Sequence, residues 1–246
     1  MSLLEERMTA AELKRDKTRM KKVLAILKET YPDAECALHH KNAFELLAAT
    51  ILSAQCTDVM VNRVTPVLFA KYPDARALAR APQEEVEKII RPTGFFKNKA
   101  TSLKEMSKGL LERHGGEVPS TLEELTRLRG VGRKTANVVL GNAFGVPGLV
   151  VDTHVGRLCR RLGFTREEDP ERVEHEMMEW VPKSDWTLFS HLLISHGRAI
   201  CGARRPLCER CPLNDLCPKV GVPPSPQRPA GHKGRDPLPD RSRRKG

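Results

Sequence analysis

Four cysteines fall within seventeen residues in the stretch "CGARRPLCERCPLNDLC": Cys201, Cys208, Cys211 and Cys217, separated by six, two and five residues. A segment this short, with glycine, proline and charged residues between its thiols, has no core of its own. A bound metal or cluster must therefore supply its folding energy. Four thiolates from one segment suit either tetrahedral zinc or an iron–sulfur centre, and spacing alone leaves both open. The chain has seven cysteines in all, an odd number that does not suit a secreted disulfide framework. In a reducing compartment, clustered cysteines act as metal ligands. Cys36, Cys56 and Cys159 lie in apolar or helical settings and read as small core residues.

The remainder of the chain is built for helices. With 246 residues, 39% of them hydrophobic, it is long enough for one large domain or two modest ones. "MKKVLAILKETYP" sets Met20, Val23, Leu24 and Leu27 on one face at helical period. "FELLAATILSA" is apolar nearly all round, which predicts a central helix buried on every side. Thr57 or Asp58 caps the next helix, where Pro66 predicts a kink, and Ser120 with Glu123 reads as a capping box. Strand signals are scarce, so the expected fold class is all-α. The stretch 220–246, rich in proline, glycine and basic residues, reads as a disordered tail.

A formal charge of +11 and a pI of about 9.5 favour a polyanionic partner, with nucleic acid ahead of an acidic membrane surface. The N-terminal stretch has no apolar signal-peptide core, and no later stretch approaches the length of a spanning helix. The expectation is a cytoplasmic protein with no membrane partner.

"LRGVGRKTANVVL" reads as two helices joined by a tight turn at Gly130 and Gly132, with Arg133 and Lys134 opening the second. A cation in a first turn sits at the positive end of the helix dipole, where it is unfavourable. Such a broken local preference points to function. Eighteen residues further on, Asp152 precedes "THVGRL", where it is a good N-cap on local grounds.

The hairpin with its lysine, the aspartate in "VVDTHVGRL" and the four-cysteine spacing, together with "NAFELLAATILSAQCTDV" and "TGFFKNKA", closely resemble the endonuclease III family of DNA base-excision repair enzymes. The likeness runs from about residue 17 to Cys217. It implies an all-α helix-hairpin-helix glycosylase fold in two domains: a six-helix barrel at 36–149, and a discontinuous cluster domain combining 10–35 with 150–219. It implies a [4Fe–4S] cluster on Cys201, Cys208, Cys211 and Cys217, which shapes the loop "GARRPL" so that Arg204 and Arg205 meet phosphates. It further implies a monomer acting on double-stranded DNA that carries damaged bases or abasic sites.

By the same resemblance Lys134 attacks C1′ of a damaged nucleoside, expels the base and leaves a Schiff base that undergoes β-elimination. The attacking amine must be neutral, and a lysine at its ordinary pKa near 10.4 is about 0.04% neutral at pH 7. The helix start, the neighbouring Arg133 and burial under DNA are expected to favour the neutral form. Asp152 is the matching carboxylate, stabilising charge on the sugar and assisting proton transfer. Gly130, Gly132 and Arg133 suit backbone binding without base reading. The nucleotide must leave the stack, and Gln55 and Phe95, with Phe96 beside it, match the wedges that fill the gap. Asp58 and His154 match positions near the family's active site. Arg129 stands where the family usually has proline, which alters turn rigidity and adds a charge. Rival readings are an adenine glycosylase of the same superfamily, a DNA-binding paralogue with little activity, and a zinc-dependent binder.

Overall fold

The computed structural model describes residues 9–222. Most of the expected tail, from residue 223 onward, lies outside the described residues. Its first residues do not hang free, since the Val220 N–H donates to the Arg161 carbonyl at 3.1 Å.

Eleven α-helices and no β-strand form among the described residues. Helix α1 (Ala10–Thr30) opens with a capping box between Thr9 and Glu12 and buries Met20, Val23, Leu24 and Leu27. Each such burial is worth roughly 1.5–3 kcal/mol. Helix α2 (Ala43–Leu52) is capped by Asn42 and buried at every position from Phe44 to Leu52, as its nearly all-round apolar run predicts. Then come α3 (Asp58–Lys71), α4 (Ala75–Arg80) and α5 (Gln83–Ile90). Thr57 caps α3, and Pro66 lies inside that helix without ending it.

A 3-10 turn at Arg91–Thr93 leads into α6 (Phe96–His114), which stops at Gly115 in the left-handed conformation. Helix α7 (Leu122–Thr126) is capped by Thr121, whose side chain accepts from the Glu124 N–H. The cap therefore sits one residue beyond the Ser120–Glu123 pair that the sequence suggested as a box. That register buries Leu125 completely. Helices α8 (Arg133–Ala143), α9 (Thr153–Arg161), α10 (Pro170–Trp180) and α11 (Trp186–Ala199) complete the set. No described helix is long and apolar enough to cross a membrane.

The buried apolar side chains form two clusters. The first, from Leu38 to Leu140, gathers around α2 and includes Leu46, Leu68, Ile90, Leu103 and Leu110. The second joins α1 to the later helices through Met20, Leu27, Val155, Leu158, Met177 and Phe189. Helices α8 and α11 carry the contact between them. A Cβ on Gly141 of α8 would lie 2.6 Å from Thr187 Oγ1 of α11, so only glycine permits this approach. His191 of α11 meets Asn142 of α8 across the same seam, Nε2 to Oδ1, at 2.9 Å. Between α8 and α9 the chain runs extended, with Leu149 and Val151 buried in the second core. That crossing ends at Asp152, the N-cap of α9.

Candidate active site and metal centre

The hairpin turn is held from both sides. Gly130 has φ +79°, and a Cβ there would meet Ser102 Cβ of α6 at 2.8 Å, so both conformation and packing demand glycine. Gly132 differs. Its φ is −90°, and a Cβ would find nothing within 4 Å. It is the N-cap of α8 and supplies no side-chain cap, so the first N–H groups of that helix take no side-chain acceptor there.

Arg133 is already engaged. Its Nη2 and Nε donate to the buried Glu174 of α10 at 2.8 and 3.1 Å, and Asn137 Nδ2 donates to the same carboxylate at 3.2 Å. The pair clamps α8 to the second core. Glu174 also balances the Arg133 charge beside Lys134.

Lys134 is exposed and makes no hydrogen bond or ion pair with any described residue. It lines a cleft that Asp152 also lines, together with Ser53, Asp58, His191 and Arg198. Both cores contribute walls to it. Asp152 is the N-cap of α9, its Oδ1 accepting from the N–H groups of His154 and Val155, each at 2.8 Å. The cap role is therefore real, and Oδ2 remains without a bond from a described residue. Asp58 crosses the cleft to Arg198 at 2.6 Å. His154 stands beside it, its Nδ1 accepting from Arg157 Nη2 at 3.1 Å, and burial holds its pKa below the ordinary histidine value.

Cys201, Cys208, Cys211 and Cys217 line a single pocket, walled by Leu158, Leu162, Ile200 and Leu213. Burial pushes the Cys211 thiol up to about 11 and raises Cys217 as well, so thiolate would need a bound cation here. No three His, Cys, Asp or Glu side chains among the described residues converge closely enough to hold one ion. A cubane cluster does not ask for that, because each thiolate binds a different iron at a different corner. The donor set of four soft sulfurs around a pocket walled by leucine and isoleucine fits such a cluster.

Residues 48–183 match the HhH-GPD superfamily of base excision DNA repair proteins, and residues 201–217 match the iron–sulfur binding domain of endonuclease III. The endonuclease III of Synechocystis sp. is 53% identical over 205 residues, covering 83% of this chain and 94% of the relative. The chain belongs to the endonuclease III family. Among solved structures, a non-covalent endonuclease III–DNA complex superposes with a TM-score of 0.79 at 45% identity, covering 82% of this chain and 95% of that one. A trapped endonuclease III–DNA covalent intermediate matches equally well, with a TM-score of 0.79 at 45% identity, covering 82% and 96%. Like the family, the chain is an iron–sulfur protein.

Against the endonuclease III fold, the remaining sequence-predicted residues divide. Gln55 is exposed at φ +52° and Phe95 is 64% exposed at φ +47°, two of three non-glycine residues with left-handed backbone among those described. Each such residue costs on the order of 1–3 kcal/mol and persists only where its surroundings hold it. Phe96 turns inward against the first core, with the Arg91 guanidinium 5.8 Å from its ring centre. Arg204 and Arg205 are exposed on the loop between the first two cluster cysteines.

Sequence reasoning missed the residues that build this loop. The buried Arg161 donates from Nη1 to Cys201 Sγ at 3.2 Å and to the Gly202 carbonyl at 2.8 Å, and from Nη2 to Ala203 at 2.7 Å. His196 Nε2 lies 3.4 Å from Cys211 Sγ while its Nδ1 meets Tyr31 OH at 2.9 Å, and burial lowers its pKa to about 4. These partners lie far apart in sequence, and no local motif marks them.

Proposed function

We propose that Lys134 and Asp152 carry the glycosylase and AP lyase chemistry of this endonuclease III on oxidised pyrimidines in duplex DNA. The observation that carries the reading is the delivery of both residues, from different elements, to one cleft between two cores, with the amine unbonded. The two cores act as two domains, 36–149 and the pair 10–35 with 150–219. DNA lies across the cleft between them, and the protein works on it in the cytoplasm.

In the reaction, the neutral Nζ of Lys134 attacks C1′, the bond from C1′ to the base breaks, and the base leaves with a proton. Asp152 supplies negative charge next to the sugar as it becomes cationic, and takes or returns the lysine proton. The C1′–O4′ bond of the resulting aminal then breaks, with O4′ taking a proton, and the ring-opened iminium so formed makes the C2′ proton acidic. Its removal breaks the bond from C3′ to its oxygen, which cuts the strand 3′ to the lesion, and hydrolysis frees the lysine.

The open N–H groups at the start of α8 and the bare surface at Gly132 suit a phosphate drawn close to the hairpin. Gln55 and Phe95, exposed on constrained turns, fill the space left by the displaced nucleotide. Cys201, Cys208, Cys211 and Cys217 hold the cluster, which supplies folding energy and shapes the loop bearing Arg204 and Arg205 rather than reacting.

Borohydride trapping tests this on duplexes carrying thymine glycol, an abasic site, or adenine opposite 8-oxoguanine. An adduct on the thymine glycol duplex, absent in Lys134→Ala, is the expected result. Trapping at the abasic site alone would reduce the protein to a lyase. No adduct on any duplex, with the cluster intact, would refute the assignment of Lys134.

A further inference from the structure

A second lysine carries a role outside this chemistry. Lys99 lies in the first turn of α6 and is only 6% exposed. A buried ammonium normally has a carboxylate beside it. Lys99 has none among the described residues. Its Nζ instead donates to two backbone carbonyls, Leu52 at 2.9 Å and Thr93 at 2.8 Å. Burial also holds its pKa below the ordinary lysine value.

The places of the two acceptors are informative. Leu52 is the last residue of α2, where carbonyls lack helical partners and a cation is favoured, and Gln55 follows three residues later. Thr93 ends the 3-10 turn, and Phe95 follows two residues later. Gln55 and Phe95 are the two residues near this lysine whose backbones are left-handed without being glycine. A backbone of that kind needs anchoring by its surroundings. One nitrogen anchors the chain immediately before both.

We propose that Lys99 is a positioning residue that fixes the Gln55 and Phe95 turns relative to each other, so that both side chains enter the duplex together when the damaged nucleotide leaves it. The proposal rests on the wedge reading of Gln55 and Phe95. A lysine suits the task because its three donors on one tetrahedral nitrogen can tie two carbonyls from unconnected segments, which a planar or single-donor side chain does less readily.

The test compares borohydride trapping on a thymine glycol duplex with trapping on a single-stranded abasic oligonucleotide, in which no stack has to be opened or filled. Lys99→Met removes the donors at similar volume. Lys99→Arg keeps a cation but replaces the point contact with a planar fork, and guards against loss of folding in the methionine variant. A wedge-less reference combines Gln55→Gly with Phe95→Gly, since glycine takes the left-handed backbone without strain. Both Lys99 variants should lower the ratio of duplex to single-strand trapping by about tenfold, short of the roughly 100-fold that a 1 Å misplacement can cost. In the wedge-less background, neither Lys99 substitution should lower that ratio further.

Four results would overturn the proposal. A wedge-less protein with a normal ratio would remove its premise along with the wedge reading. A wedge-less protein with a lowered ratio, beside Lys99 variants at the wild-type ratio, would leave the wedges standing and refute the role of Lys99. Equal loss on both substrates would make Lys99 a support of the fold alone. So would Lys99→Arg at the wild-type ratio where Lys99→Met fails to fold.

Discussion

Helices α6 and α8 both begin after a turn containing glycine, and both carry a lysine in their first turn against the helix dipole. Lys99 is buried and spends its ammonium on two carbonyls. Lys134 is exposed and bonded to no described residue. The same local violation thus serves two ends. Where acceptors surround the nitrogen, its charge becomes part of the architecture. Where none does, the nitrogen holds no partner among the described residues that a substrate would have to displace.

The widest separation between the two should come from Lys134→Ala. It removes the proposed nucleophile and no contact, so trapping should fall by about 10³-fold or more while stability stays within about 0.5 kcal/mol. A thermal melt together with the trapping gel decides this. A large loss of stability would mean that Lys134 is structural after all, like Lys99. Next in size is Asp152→Asn. Asparagine still offers an oxygen to the N–H groups of His154 and Val155, so the α9 cap persists and the charge alone is lost. Single-turnover base release should slow on the order of 10²-fold. Unfolding free energy should change by less than about 1 kcal/mol. If Asp152→Asn keeps full activity, the residue is a cap and nothing more.

The features legible in the sequence are those that physics confines to a few adjacent residues. The glycine turn before Lys134, the cap at Asp152 and the spacing of the four cysteines are of this kind. So is the burial of α2, whose apolar run admits no exposed face. Adjacent alternatives already escape such reasoning. Ser120 and Thr121 each have a glutamate three residues on, and only the burial of Leu125 selects Thr121. Phe95 and Phe96 are likewise identical in local sequence terms, yet a left-handed backbone turns the first outward and the core takes the second. Pairings across the fold left no local trace at all. Arg133 with Glu174, Arg198 with Asp58, and Lys99 with Leu52 and Thr93 each join segments that only the packed chain brings together.

The Arg133–Glu174 clamp sharpens the contrast, because it holds the start of α8 as Lys99 holds the two turns near α6. Glu174→Ala would strand Arg133 and Asn137 without their acceptor. Removing one partner of a fully buried pair is strongly destabilising, but the Arg133 side chain is 35% exposed and water would recover part of the loss. The expected cost is about 2 kcal/mol, read as a lower urea midpoint at unchanged slope. An unchanged midpoint would mean that apolar contacts and Gly141 suffice to seat α8 on the second core.

The two hairpin glycines give the smallest and most discriminating comparison. Gly130→Ala forces a Cβ onto a backbone at φ +79° and against Ser102 at 2.8 Å, so stability should fall by about 1–3 kcal/mol. Gly132→Ala meets nothing inside the protein, so stability should stay within about 0.5 kcal/mol. Duplex binding at fixed salt should nevertheless weaken, because the added methyl group stands where the proposed phosphate would approach the open N–H groups of α8. Intact binding by a normally folded Gly132→Ala would show that the backbone at this turn does not touch DNA. The exposed side chains Arg204 and Arg205 would then have to carry the phosphate contacts that the hairpin was assigned.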